Sequence, residues 1–339
     1  MLDRELLPEI GHFVARPDGA EEPPDHERRR TGVLPEFGQL VPLVADTAAT
    51  DIFVNGAGGV WVDRGEGLEP VAGVVFAESE ARALAVRLLS LGGRHIDEAT
   101  PCVDARLADG IRVHAVLPPV SPQGTLVSIR LPTVERLSLD DLEAAGFFAS
   151  VGRATIDSMV VERRNVLVTG AGGSGKTTFL AAMLSSASPS ERIVTIEDVA
   201  ELRIDHPHVV ALEARQANLE GVGQIGLDRL VREALRMRPD RLVLGECRGA
   251  EIRELLSALN TGHDGGAGTL HANSLADVPA RIEALGALAG MSDAAIARQA
   301  VSAIGAVLHL SRTDGSRRLA ASGRLEIDAR GRLAIAELP

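Results

Sequence analysis

The sequence predicts an α/β protein in two parts, a smaller N-terminal α+β domain followed by a larger domain built on an open, mainly parallel sheet. Three observations carry that expectation. The 339 residues exceed what one small core organises and suit two domains. In the second half, short continuous runs of β-branched residues and leucine alternate with helical stretches, as in strands covered on both faces. Residues 170–177 read G-A-G-G-S-G-K-T and stand where one such strand passes into a helix.

Taken in order, residues 1–32 are polar and Pro-rich, with Glu21-Glu22-Pro23-Pro24 and Arg28-Arg29-Arg30, and read as an arm or linker. Residues 33–131 form the α+β domain. It begins with a strand at Asp51-Ile52-Phe53-Val54, a turn at Asn55-Gly56 and a strand at Val60-Trp61-Val62. A helix follows, with Ser79 as N-cap, Leu84, Leu88 and Leu91 on one face, and Gly92-Gly93 as its stop. Further strands are expected at Cys102 to Arg106, Arg112 to Val116 and Leu126 to Ile129. Leu131-Pro132 and the polar run to Leu142 read as the connection to the second domain, residues 132–339.

In that domain Asn165 to Thr169, Ile193 to Ile196 and Leu242 to Leu244 read as buried strands, and Ile252, Leu255, Leu256 and Leu259 mark one face of a helix. The tail from Val307 reads as hairpins turning at Asp314-Gly315 and Arg330-Gly331. Alternating strands and helices with a phosphate-binding loop first give a RecA-like P-loop ATPase domain.

Composition narrows the function. With 45% apolar and 24% charged residues the chain is a folded one. A net charge of -12 repels phosphate backbones, and 2% aromatic residues, with Trp61 the one tryptophan and no tyrosine, supply few stacking platforms for bases. Nucleic acid is therefore not an expected partner. Two cysteines far apart, Cys102 and Cys247, exclude a four-cysteine zinc site, so any metal is held by oxygen. No apolar stretch of membrane-spanning length occurs, and the start M-L-D-R-E-L lacks a basic and then apolar leader. The expectation is a cytoplasmic protein whose membrane association is peripheral, through a partner.

Of the 35 basic residues, 34 are arginine and one is Lys176. A compact ammonium fits beside phosphate oxygens where a planar guanidinium does not. In the loop of Gly170, Ala171, Gly172, Gly173, Ser174, Gly175, Lys176, Thr177 and Thr178, backbone N–H groups and the helix N-terminus face a β-phosphate. Lys176 would bridge the β- and γ-phosphates of ATP, and Thr177 would ligate Mg2+.

Three further segments carry acid, base or sensor groups. Thr195-Ile196-Glu197-Asp198-Val199-Ala200-Glu201-Leu202 places three carboxylates just past a buried strand. Arg238-Pro239-Asp240-Arg241-Leu242-Val243-Leu244-Gly245-Glu246 ends a second buried strand in a carboxylate. Gly262 to Ser274 is Gly-rich, then strand-like, and contains His263 and His271.

In order and spacing these segments resemble the motor domain of the secretion ATPase superfamily that drives type II and type IV secretion and pilus machines. They correspond to a Walker A, an "Asp box" (Thr195 to Leu202), a Gly-Glu Walker B and a "His box" (Gly262 to Ser274). Asp51 to Gly56, Gly93 to Glu98, Val103 to Val113 and Ser128-Ile129-Arg130 resemble the N-terminal domain of the tight-adherence (Tad) pilus branch, which is close to the conjugation ATPases. The resemblance covers about residues 33 to 320. It implies a ring of six subunits, each binding ATP between its own two domains and acting on an inner-membrane platform protein. It also implies that Glu201 positions water, Glu246 holds magnesium through its hydration shell, and His271 senses the γ-phosphate. Arg112 and Arg130 would reach the nucleotide from the N-terminal domain; ordinary surface charge is the other reading of these two. The tail after Leu310 departs from the family's usual ending, and the four-cysteine insert of some pilus-extension relatives is missing. A conjugation-type motor, a RecA-like nucleic-acid translocase and a regulator that binds ATP without hydrolysing it are the alternatives.

Overall fold

The structure is a computed structural model that describes residues 34–65, 67–132, 136–215, 222–313 and 316–338. The expected arm over 1–32 and the turn at Asp314-Gly315 lie outside the described residues. Two sheets organise the chain, one of six strands and one of eight, in keeping with the expected α/β class.

The N-terminal sheet is antiparallel. Its strands are β1 (Asp51–Asn55), β2 (Val60–Asp63), β3 (Leu68–Pro70), β4 (Cys102–Arg106), β5 (Arg112–Val116) and β6 (Leu126–Arg130), in the spatial order β3-β2-β1-β6-β5-β4. Alternation decides which face is covered: Ile52, Val54, Val113, Ala115, Val127 and Ile129 are buried while their neighbours are not. A short helix, α1 (Val41–Ala45), follows a 3-10 stretch at Leu34–Leu40, and α2 (Glu78–Leu91) supplies Ala81, Leu84, Ala85, Leu88 and Leu89 to the same core.

Two expectations about α2 are corrected. The N-cap is Ala77 rather than Ser79, because Glu80 reaches back and its carboxylate accepts the Ala77 N–H at 2.8 Å. Leu91 is exposed, since the chain leaves the helix at Gly92, whose Cα packs so tightly on β4 that a Cβ there would come within 2.7 Å of the Ala105 Cβ.

The second sheet contains β7 (Val166–Gly170), β8 (Ile193–Glu197), β9 (Val209–Glu213), β10 (Arg241–Leu244), β11 (Ala267–His271), β12 (Ala306–Thr313), β13 (Ser316–Ile327) and β14 (Leu333–Leu338). Their order is β14-β13-β12-β7-β11-β10-β8-β9; β12 through β9 run parallel, and β12-β13-β14 form an antiparallel meander. The expected turn at Arg330-Gly331 joins β13 to β14, closed by Gly331 N–H donating to Asp328 O at 2.9 Å.

Every residue of β7, β8 and β10 is buried, because helices cover both faces. On one face α6 (Leu227–Ala234), α7 (Ile252–Leu259), α8 (Val278–Leu288) and α9 (Asp293–Ala303) pack against Leu167, Val194, Leu242 and Leu244. On the other, α3 (Leu139–Ala144), α4 (Arg153–Val161) and α5 (Lys176–Ser185) pack against Val166, Val168 and Val243 around Phe147, Phe148 and Phe179. No helix among the described residues is long and apolar enough to cross a membrane.

One charge is built into this core. Arg241, at the start of β10, is 2% exposed; its Nε pairs with the Glu191 carboxylate and its Nη2 donates to Val160 O at 2.8 Å. Removing one partner of a buried pair strands the other, whereas an apolar replacement of similar volume largely avoids that cost. Arg241→Ala should therefore lower the unfolding free energy by about 3–5 kcal/mol, and an Arg241→Met, Glu191→Met double variant should recover most of it, as read by urea denaturation. A double variant no more stable than the single one would show that packing, not charge, sets the cost.

Candidate active site

Parallel strands that end together bring their following loops together, and the candidate residues stand in those loops. β7 ends at Gly170, with φ +151°, where a Cβ would lie 2.5 Å from Leu310 O and 2.6 Å from Ser174 Oγ. Glycine is required there for β12 and the loop to close on the strand. Gly173 and Gly175 adopt φ of +71° and +93°, which turn the loop onto the first residue of α5, Lys176. Lys176 is buried, and its Nζ donates to Gly170 O at 3.0 Å and Ala171 O at 2.9 Å. Burial pushes its pKa down, partly offset by the Glu246 carboxylate.

Glu246 follows β10 and is framed on both sides by β11: Thr269 Oγ1 donates to Gly245 O at 2.6 Å, and Cys247 N–H donates to Thr269 O at 2.9 Å. Its carboxylate lies 2.9 Å from His271 Nε2 and 2.6 Å from Arg248 Nη2. Burial raises its pKa, but Arg248, His271 and Lys176 outweigh burial and hold it below the usual carboxylate range. His271 ends β11 beside the loop; its Cε1 would be 3.7 Å from a Cβ on Gly172. Burial and then Lys176 lower the His271 pKa, so the imidazole favours its neutral form.

The Asp-box segment is organised by Glu197, the last residue of β8. It is 4% exposed, and its Oε1 accepts the N–H groups of Glu201 at 3.0 Å and Leu202 at 3.1 Å. Gly245 makes room for it, since a Cβ there would lie 2.5 Å from Glu197 Cγ. That contact gives a packing reason for the glycine of the Gly-Glu pair. Glu201, turned outward, forms an ion pair across the two sheets with Arg112 of β5.

A cleft of about 410 Å³ lies between the domains, with Arg106 and Arg112 on one wall and Thr177, Glu197, Glu201 and Glu246 on the other. Arg106 pairs with Glu213 at 2.7 Å, a second link across the cleft. Arg130 is exposed at the end of β6 and is not among the residues lining the cleft, although it stands opposite Arg112 in register. Thr178 is half-buried in the first turn of α5. The structure thus places Thr177, Glu201, Glu246 and Arg112 on the cleft, with His271 and Lys176 beside it through Glu246. Sequence reasoning missed Arg106, Glu197 as the organiser of its loop, and Arg248. A signal for the last existed: a cation two positions after the strand-end glutamate.

The loop suits a polyphosphate. Ser174 Oγ is buried without a hydrogen-bond partner, and a Cβ on Gly173 would meet nothing within 4 Å, so the loop is open there. Among the described residues no group of three or more His, Cys, Asp or Glu could hold a metal ion. The donors present, a threonine hydroxyl and a carboxylate beside a phosphate loop, are those expected for Mg2+ bound chiefly by phosphate and water.

Known proteins resemble this chain in sequence and fold. A putative conjugal transfer protein of Mycobacterium tuberculosis (strain H37Rv) is 48% identical over 303 residues, covering 87% of this chain and 86% of that protein. The type IV secretion system protein VirB11 of Brucella suis biovar 1 is 31% identical over 272 residues, covering 73% and 75%. Among solved structures, the Legionella pneumophila ATPase DotB matches with a TM-score of 0.57 at 20% identity, over 86% of this chain and 81% of that one. The pilus retraction motor PilT with bound ADP matches with a TM-score of 0.57 at 19% identity, over 88% and 81%. These two share the fold, an N-terminal domain joined to a RecA-like one. The family model described as type II/IV secretion system protein matches residues 34–336, and the chain belongs to that family.

Proposed function

We propose that the chain is a Mg2+-dependent ATPase of the tight-adherence branch. In this reading it is a homo-hexameric motor that docks peripherally on an inner-membrane platform protein at the cytoplasmic face and powers pilus or pseudopilus assembly or secretion. The carrying observation is the convergence of Lys176, Glu246 and His271 at the phosphate loop, with Glu201 and Arg112 meeting across the cleft. We place the domain junction at residues 131 and 132, so that 33–131 closes on 132–339. A conjugation-type motor is the second reading, favoured by the 48% identity to a putative conjugal transfer protein.

The proposed chemistry follows from what each group can do. The backbone N–H groups from Gly172 to Thr178 receive the β-phosphate, and Lys176 exchanges its two carbonyl partners for phosphate oxygens. Mg2+, held by Thr177 and through water by Glu246, would supply charge neutralisation on the phosphates. Neutral His271 has one N–H; held on Nε2 beside the Glu246 carboxylate, it passes its hydrogen bond from Glu246 to a γ-phosphate oxygen when the nucleotide arrives. Arg112, drawn to the γ-phosphate, leaves Glu201, whose freed carboxylate orients the attacking water and accepts its proton as the bond from the γ-phosphorus to the bridging oxygen breaks. Arg130, beside Arg112 on the same sheet face, adds positive charge as the domains close.

Lys176→Ala should abolish ATP hydrolysis, Lys176→Arg should not restore it, and Glu246→Gln should bind nucleotide with little turnover. The wild-type chain should elute as a hexamer and be stimulated by a platform protein's cytoplasmic segment; DNA-stimulated turnover with tight, salt-sensitive DNA binding would promote the translocase instead. Arg112→Ala should cost about 10³-fold or more in kcat with little change in nucleotide affinity, and Arg130→Ala less. Normal turnover by both variants in assembled rings would leave these arginines as surface charge.

Glu197 gives a pH dependence. Burial pushes its carboxyl up to about 7, against the two N–H groups that favour the charged form. The folded state therefore holds this proton more tightly than the unfolded chain. Its stabilising contribution is complete below the ordinary value of 4.5 and is lost as pH rises through 7. Wild-type stability should fall relative to Glu197→Gln by at most about 3 kcal/mol between pH 5 and 8 in chemical denaturation. Parallel pH profiles would show that Glu197 ionises as an ordinary carboxylate.

A further inference from the structure

The C-terminal meander lies within the stretch that the family model matches, through residue 336, contrary to the expectation that the tail after Leu310 departs from the family's ending, and it touches the phosphate loop. Arg317, the second residue of β13, donates from Nε to Gly173 O at 3.1 Å. Its Cδ lies 3.2 Å from the position of a Cβ on Gly175. Its two terminal nitrogens make no hydrogen bond or ion pair among the described residues. Of the neighbouring cations, Arg312 is its cross-strand partner, whereas Arg318, the next residue along the strand and so on its other face, donates to the hydroxyls of Ser311 at 3.4 Å and Thr313 at 3.5 Å. Among the described residues none of the three forms an ion pair with a carboxylate, unlike Arg153, Arg232 and Arg332, each of which has at least two such partners.

Position says what Arg317 faces. In the sheet order, β12 and β13 lie on one side of β7, and β11, β10 and β8, which carry His271, Glu246 and the Glu201 loop, lie on the other. A nucleotide whose γ-phosphate is directed toward His271 and Glu246 has its nucleoside-side phosphate nearer Gly173 and Gly175. That is the stretch Arg317 covers. The close approach of Leu310 O to Gly170 and the register of β12 on β7 fix the meander to the loop, so the guanidinium is held near phosphate by the sheet itself.

We propose that Arg317 is a nucleotide-binding residue that grips the α-phosphate of a nucleoside di- or triphosphate from within the same chain. Nε stays on Gly173 O, and the two terminal nitrogens donate to phosphate oxygens. The proposal rests on the phosphate loop being the nucleotide site. Because the α-phosphate is common to substrate and product, Arg317 strengthens ATP and ADP binding alike and leaves the chemical step to the opposite side of the loop. It is uniform binding, which appears in KM and not in kcat.

The test uses the full chain and compares wild type with Arg317→Ala, Arg317→Lys and Arg318→Ala. Calorimetric affinities for ADP and ATP should both fall roughly tenfold to a hundredfold in Arg317→Ala, with kcat at saturating ATP within about twofold of wild type. Arg317→Lys should recover part of the affinity, and Arg318→Ala should bind as wild type does. ADP affinity unchanged in Arg317→Ala would overturn the proposal and leave the arginine as a clasp between meander and loop. So would a loss that Arg317→Lys does not recover and that accompanies a lowered melting temperature of the nucleotide-free protein. Wild-type protein that binds neither ADP nor ATP would instead sink the assignment of the loop itself.

Discussion

The burial of β7, β8 and β10 on both faces is the constraint from which the site follows. A strand covered by helices on each side has one place to present polar groups, its end, and parallel register makes these ends coincide. Glu197, Gly170 and His271 are the last residues of β8, β7 and β11, and Glu246 comes two residues after β10. None of these side chains is placed by its own loop alone. Thr269 holds the backbone on both sides of Glu246, Glu197 holds the amides of Glu201 and Leu202, and Leu310 crowds Gly170. The core therefore sets the positions, and the loops supply the chemistry.

The charges in the cleft satisfy each other in ways a phosphate would disturb. Lys176 is held by two carbonyl oxygens, weaker partners for an ammonium than an anion, and Glu246 shares its carboxylate between Arg248 and His271. Arg112 and Glu201 pair where they are a third or more exposed, so their attraction is screened and is readily exchanged for a stronger acceptor. A triphosphate supplies that acceptor. The same event would then fill the loop and change the contact between domains. Arg106 with Glu213 forms a second exposed link at that boundary.

Much of this was legible in the sequence because the signals are local. A glycine-rich turn between a buried strand and a helix, a lone lysine and strand-end carboxylates are read from consecutive residues, and the carboxylates and Thr177 line the cleft. Arg248 shows the limit of that reading: it stood in plain view two residues from Glu246, but only the fold shows that it pairs with it. Glu197 looked like one acid of three, and burial distinguishes it. Arg106 and Arg317 had no sequence signal, since their neighbours lie 107 and 144 positions away. The edge strands β3 and β9 escaped notice for a different reason: an exposed strand and a half-exposed one lack the continuous apolar run that marked β7, β8 and β10. Ser79 was displaced as N-cap by Glu80, a competition between two good capping chemistries three residues apart in reach.

Net charge and local charge give different answers here, and the fold explains why both matter. A chain of net charge -12 has 34 arginines, and many of them are consumed by carboxylates at domain joints, helix ends and the β13–β14 clasp on Glu283. The acidic excess then discourages long polyanions, whose binding needs a broad basic face. A single nucleotide needs only a few cations at fixed points. Lys176 and Arg317 approach the phosphate loop from within α5 and from β13, each bonded to a loop carbonyl, at Gly170 and Ala171 for one and at Gly173 for the other. The helix that carries one and the strand that carries the other share the core around Phe147 and Phe179, and their cations converge on this loop. A shift of the meander relative to β7 would therefore alter nucleotide affinity without touching a carboxylate of the reacting side, which connects the C-terminal strands of the chain to the phosphate loop.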